Sequence, residues 1–266
     1  DICYSKGKGK NMEQINSEST TLLHHLMDLG EVMLLSGAEV NRVEDTLVRM
    51  GKAYGASEMH VFVITSSVVV TMLFPDGKEI TLTRRITEPG GTNFYKIEAL
   101  NALSRRCCAN PLPISELADE IQKLHKQNGK KRYVYLGSTI ATISFAVFFG
   151  GTLLDGLAAA AFGLFISAMQ QYFSPFCRNK VIFNFIVSLL SGLGICGFCR
   201  LFPSFHRDMI MIGDIMLLIP GIAVTNSIRD MLVGNTIFGI MRLVESLLWA
   251  GALAFGCMSA IWIMGV

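Results

Sequence analysis

The feature that most limits the fold of this chain is the uneven placement of its charges. Of 23 Lys and Arg residues, 17 fall within residues 1–132 and 6 beyond; of 21 Asp and Glu, 16 fall there and 5 beyond. In a chain that is 51% hydrophobic overall, residues 133–266 are too apolar for an ordinary soluble domain. The first half is expected to face water and the second to lie in a membrane. A net charge of +2 is close to balance, so no nucleic acid partner is implied. Lys6, Lys8 and Lys10 lead into polar sequence, so no secretory signal is expected at the start. Seven cysteines form no disulfide framework: Cys107 and Cys108 are adjacent, and Cys177, Cys196, Cys199 and Cys257 lie in or beside apolar spans.

Residues 1–20 are expected to be disordered, residues 21–128 to form a cytosolic α+β domain, and residues 129–266 a helical membrane domain. In the α+β domain, Leu22, Leu26, Leu29 and Met33 recur at helix spacing. Ser36-Gly37 interrupts that pattern, and Val40, Val43, Leu47 and Met50 resume it. Strands rich in Val, Ile, Thr and Phe follow at about 60–65, 68–74 and 79–85, with Pro75-Asp76-Gly77 as the turn between the last two. Two further helices, about 94–107 and 114–126, complete a small domain with a short antiparallel sheet.

After the basic run Lys130-Lys131-Arg132 come five candidate spans, about 133–150, 153–172, 181–199, 209–225 and 236–264. Lys130, Lys131, Arg132, Arg178, Lys180 and Arg229 flank one side and Arg200 and Arg207 the other. The positive-inside rule then puts the N-terminal domain in the cytoplasm and the C-terminus outside. An odd count without internal repeat suggests that the functional unit needs further chains. Small residues on the second and third spans (Ala158 to Ala161, Gly163, Ser188, Gly192) fit close helix packing better than solute contact.

The stretch Met216 to Asn235 stands out, because Pro220-Gly221 breaks an apolar helix and Thr225, Asn226, Arg229 and Asp230 follow. Proline removes a helical hydrogen bond, and the backbone groups it frees are tolerated at membrane depth where they line a cavity. Charges at such depth cost about 2.5–3.5 kcal/mol and so face partners or pathways. Asp155, Asp214, Arg242 and Glu245 are therefore further pathway candidates. Arg242 and Glu245, three residues apart, could instead neutralise one another, and Asp155 could be an interfacial turn residue. Asn226 and Asp230, four apart, are expected on one side of a resumed helix. In the first half, Gly37, Glu39, Arg42, Glu44 and Asp45 form a charge-dense motif that suits a solvated helix face better than acid–base work. No nucleophile arrangement appears, so no catalytic residue is assigned. His24-His25 are adjacent and cannot share a helix face, so no metal or cofactor is called for.

Taken together, Ser36-Gly37-Ala38-Glu39, Arg42-Val43-Glu44, the strands around Pro75-Asp76-Gly77, and Leu218-Ile219-Pro220-Gly221 through Asn226, Asp230, Gly234, Gly239 and Arg242 resemble the threonine/serine exporter family. The resemblance is to the N-terminal component of its split form. That form implies a five-span bacterial inner-membrane protein working with a second small membrane protein that carries the C-terminal half, as a hetero-oligomer. The solute implied is a small polar metabolite, threonine or serine in some relatives and succinate in others, with export driven by the proton gradient. The family's N-terminal domain has been described as hydrolase-like. An enzyme acting through that domain, or a gating or docking module, is the alternative. Where family members often carry an acid after the glycine that follows their aspartate, this chain has Asn235.

Overall fold

Leucines and methionines at three- and four-residue spacing build the first of two units, Asp1–Gly129 and Lys130–Val266, in the computed structural model. The structure describes residues 2–64, 67–86, 91–127, 131–177 and 179–265. Helix α1 (Ile2–Leu35) buries Leu22, Leu26, Leu29 and Met33, and α2 (Val40–Ala53) buries Val40, Val43, Leu47 and Met50. The segment expected to be disordered, 1–20, is helical from Ile2 on. Residues 11–20 contain neither proline nor glycine to stop a helix. Between the helices Gly37 has φ +87°, in the left-handed region that glycine enters without strain.

Strands β1 (Glu58–Ile64), β2 (Ser67–Leu73) and β3 (Glu79–Arg85) form an antiparallel sheet in sequence order. The register pairs Val61 with Val70 and Val70 with Leu82. Val68, Val70 and Met72 of the middle strand point into the core, as a period of two requires. Gly77, at φ +79°, closes the β2–β3 turn, and Phe74 N–H donates to the Lys78 carbonyl at 2.8 Å. Thr65, expected to end the first strand, falls outside the described residues. Helices α3 (Phe94–Ala109) and α4 (Ile114–Lys126) cover α1 and α2. Arg84 reaches Asp28 and Glu31 on α1, the latter at 3.0 Å, and Tyr54 Oη donates to the Leu112 carbonyl at 3.0 Å.

The second unit runs α5 (Lys131–Phe148), α6 (Leu153–Tyr172), α7 (Lys180–Leu201), α8 (Arg207–Leu218), α9 (Gly221–Leu232) and α10 (Thr236–Met264). Among the described residues three helices, α6, α7 and α10, are long and apolar enough to cross a membrane. The α8–α9 pair, bent by 50°, would make a fourth. The fifth expected span, α5, is long enough but less apolar: it carries Lys131 and Arg132 in its first turn and Ser138, Thr139, Thr142 and Ser144 further along, which keep its mean hydropathy low. Small residues bring the helices close, as their placement predicted. A Cβ on Gly192 would stand 2.8 Å from Ala260 across α7 and α10, and one on Gly213 would stand 2.9 Å from the Thr142 carbonyl across α8 and α5. Outward, Leu153, Leu157, Leu247, Leu248, Phe255 and Trp262 stay exposed. An apolar exterior over apolar helices makes this unit a multi-pass membrane domain.

Candidate functional site

The helix break falls where the proline predicts. Ile219 ends α8 in an extended conformation, and Pro220 precedes α9, whose first residue is Gly221. Space around Gly221 is open, so its use is to start a helix and not to admit a neighbour. In α9 the buried residues are Ser227 and Asp230. Asn226 is half-buried, and Thr225 and Arg229 are exposed. The face that Asp230 shares is thus completed by Ser227, three residues away, and the pairing of Asn226 with Asp230 is looser than their spacing suggested.

That face packs on α10. Gly234, at φ +106°, turns the chain back, and Asn235 N–H donates to the Asp230 carbonyl at 2.9 Å. Gly239 then meets α9 so closely that a Cβ there would lie 2.7 Å from the Ser227 carbonyl. One turn further on, Arg242 Nη1 stands 3.8 Å from Asp230 Oδ2, with the two side chains 16% and 5% exposed. Arg242 therefore finds its acid on the neighbouring helix and not in Glu245 of its own. At 3.8 Å the pair is electrostatic and longer than a hydrogen bond. The guanidinium also lies over the Phe238 ring, 5.9 Å from its centre.

One residue joins this cluster that sequence reasoning did not single out for it. Lys180, the first residue of α7, places its ammonium 4.6 Å from the centre of the Trp249 ring on α10. Glu245 and Arg242 both act on the Lys180 charge. Asp230 and Arg242 thus pair between α9 and α10, and Lys180 at the start of α7 lies within electrostatic range of Arg242 and Glu245 on the first half of α10. Lys180 was legible only as one of the basic residues flanking the spans, and nothing in spacing pairs it with residues 62 to 69 positions later.

The remaining acids of the membrane unit divide sharply. Asp155 is fully buried and accepts from Thr152 N–H at 2.8 Å, Thr152 Oγ1 at 2.7 Å and His206 N–H at 2.8 Å, with His206 Nδ1 at 2.9 Å. It caps α6 and binds the start of α8, which is the turn-residue reading. Asp214 is 1% exposed, and among the described residues neither of its carboxyl oxygens has a hydrogen-bond partner. It lies within electrostatic range of Cys257 on α10.

In the first unit the motif residues do not converge. Asp45 pairs with Arg49 at 2.9 Å in solvent, and Arg42 is exposed. Glu44 is half-buried, where desolvation raises its pKa and the Val63 amide partly offsets that. Glu39 precedes α2 without a side-chain capping bond. Gly37 has a separate use, a close approach to the Gly91 carbonyl, which a Cβ would meet at 2.8 Å.

The sequence matches the family described as "Putative threonine/serine exporter" over residues 24–264. It is similar to "Probable succinate transporter subunit YjjP" of Klebsiella aerogenes, 20% identical over 260 residues that cover 96% of this chain and 98% of the relative. The Escherichia coli protein of the same name is 22% identical over 242 residues, covering 89% and 92%. A "Threonine/serine exporter" of Corynebacterium glutamicum is 21% identical over 236 residues, which are 86% of this chain and 48% of that protein. No solved structure matches the chain.

Proposed function

The chain belongs to the threonine/serine exporter family, and on that premise we propose that it is a subunit of a bacterial inner-membrane exporter for small carboxylate-bearing metabolites. The observation that carries this reading is the Asp230–Arg242 pair, buried between α9 and α10 beside Lys180. A guanidinium and an ammonium are the groups that recognise a carboxylate. An ion pair at 3.8 Å leaves Arg242 room to trade Asp230 for an incoming anion. Pro220 and Gly221 supply the hinge that lets α9 move, with Thr225, Asn226 and Arg229 along its more open sides. Threonine, serine and succinate all fit this chemistry.

Export is driven by the proton gradient, and Asp214 is the proton carrier. A carboxyl group buried without a donor suits that task, since a charge there has neither solvent nor partner to hold it. Five spans, counting α5, put the N-terminal unit in the cytoplasm and the C-terminus outside. The Asp230–Arg242–Lys180 cluster then lies at the cytoplasmic end, where an exporter loads. A second small membrane protein completes the pathway as a hetero-oligomer. The twofold length of the Corynebacterium relative supports that division, since this chain spans about half of it.

The test uses cells lacking the gene, loaded with a threonine dipeptide or with succinate, and complemented by variants at equal membrane abundance. Asp230→Asn and Arg242→Met are expected to abolish export of the solute that the native protein moves. Asp214→Asn is expected to leave solute binding in place while export no longer follows the proton gradient. Wild-type export by Asp230→Asn would remove the α9–α10 site from the mechanism.

A further inference from the structure

Helices α7 and α10 lie side by side in one register. Gly256 of α10 meets Ser188 Oγ and the Phe185 carbonyl, Gly192 of α7 meets Ala260, and the Lys180 ammonium sits over the Trp249 ring. Partners move forward together along both helices, so the two run parallel. α7 begins at Lys180, level with Trp249, whereas α10 begins at Thr236. Residues 236–248 of α10 therefore extend past the start of α7, by about 20 Å at about 1.5 Å per residue. Helix α9 accompanies them. Within the membrane unit it packs on α10 and on no other helix to a comparable extent. The close approach at Gly239 and the Asp230–Arg242 pair hold the two arms together.

This overhanging hairpin lies outside the hydrocarbon. With 22 residues, α7 is about 33 Å long and by itself matches a hydrocarbon layer of about 30 Å. Lys180 and Trp249 mark its edge, since tryptophan and snorkelling lysine both settle at the membrane–water interface. α10 passes that level as one unbroken helix, so the overhang continues along the bundle and does not turn to lie in the plane of the lipid. Its surface is nevertheless apolar. Ile228 and Leu232 on α9, and Ile237, Ile240 and Val244 on α10, are exposed, Leu232 by 83% and Ile237 by 70%. Spacings of three and four residues align them in a stripe on each arm. The same side chains on the bundle would meet lipid; here they meet water. An exposed apolar patch beyond the hydrocarbon marks a protein contact. The arms turn their charged pair inward and their apolar stripes outward, as helices do that other helices enclose.

We propose that the α9–α10 hairpin is the docking element for the second small membrane protein of the exporter, whose helices pack on the two stripes and enclose the Asp230–Arg242 pair. This rests on the hetero-oligomer reading above and assigns it a surface. The Corynebacterium relative supports the choice of occupant: the residues it shares with this chain are 48% of its length, and the remainder is covalently attached to them.

Site-specific photo-cross-linking of the full-length protein in its own membranes tests this, with the cross-linking amino acid at Leu232 or Val244. Leu153 and Leu157, exposed at the start of α6, are the reference positions. Both hairpin positions are expected to capture one and the same multi-pass membrane protein, identified by mass spectrometry, at least fivefold more strongly than either reference position does. Co-expressed with that protein, the native chain is expected to co-purify with it at a fixed ratio in detergent. Leu232→Glu and Val244→Glu are expected to lower the recovered partner at least tenfold, and Leu157→Gln to leave it unchanged, with thermal unfolding verifying that each variant is folded. The readout is assembly and not export, so an intact complex that moves no solute would break the transport reading and leave the docking surface standing. Cross-links to lipid, to a second copy or within the chain itself overturn the proposal. So does co-purification that neither glutamate substitution reduces, or the absence of any cross-link at both hairpin positions.

Discussion

The two units of this protein keep opposite kinds of group inside. In the first, Leu23, Leu26, Leu29, Met33, Leu47 and Met72 are essentially inaccessible, and charged pairs such as Arg84 with Glu31 stay at the rim. In the second, large apolar side chains cover the outside, while Asp155, Asp214, Asp230, Ser188, Ser191, Ser227 and Ser246 are buried. The difference is the solvent. Water drives apolar groups inward, whereas lipid offers a leucine no reason to leave the surface and a carboxylate every reason to. Burial therefore marks architecture in the first unit, and in the second it must be read with the bonding of each polar group. Asp155 is saturated with donors and acts as a fastener; Asp230 faces a cation beyond hydrogen-bond distance; Asp214 has no donor among the described residues.

The largest effect that could break this contrast is at Asp155. Asp155→Ala orphans the amides of Thr152 and His206 and frees α6 from α8, at a cost on the order of 3–5 kcal/mol. Thermal unfolding in detergent should show a clear drop in midpoint and in recovered protein, whereas Asp230→Asn should unfold near the native temperature. If both variants were equally stable, the count of donors would not separate fastener from site.

A smaller effect is expected at Gly239, which lets α10 lie against α9. Gly239→Ala forces a methyl group to within 2.7 Å of the Ser227 carbonyl and 3.0 Å of the Met231 amide. Relief requires the hairpin to spread, at about 1–3 kcal/mol, and the spreading carries Arg242 away from Asp230. Export is expected to fall more steeply than the unfolding midpoint. Loss in equal proportion would mean that the hairpin is scaffold only.

Local signals made much of this legible in advance. Period-two alternation and Pro75-Asp76-Gly77 gave the β2–β3 hairpin, because both are decided within a few residues. The limits of α6 and α10 coincide with the apolar runs 153–172 and 236–264. What stayed hidden depends on distant partners. Asp155 looked undecided until His206, 51 residues on, supplied two donors. Arg242 looked paired with Glu245 because only its own helix was in view. Lys180 and Trp249 come together through the packing of α7 on α10, which no spacing encodes.

The smallest effect sharpens the contrast from the aqueous side. Tyr54 Oη donates to the Leu112 carbonyl and ties α2 to the linker between α3 and α4. Burial first, and then the neighbouring Cys107, push its phenol up to about 12 from the usual 10. A raised folded-state value means that the protonated form is the one the fold holds. Its contribution is therefore complete below pH 10 and is lost as pH rises through 12. Tyr54→Phe removes one hydrogen bond in a region that water can reach, at a cost of about 1 kcal/mol at pH 8. The gap between native protein and variant should close by pH 11 to 12, as the native phenol ionises and the variant has nothing to titrate. A gap that stays constant with pH would show that the hydroxyl acts through packing. In that case the polar groups of the first unit would be as much a part of its interior as Asp155 is of the second.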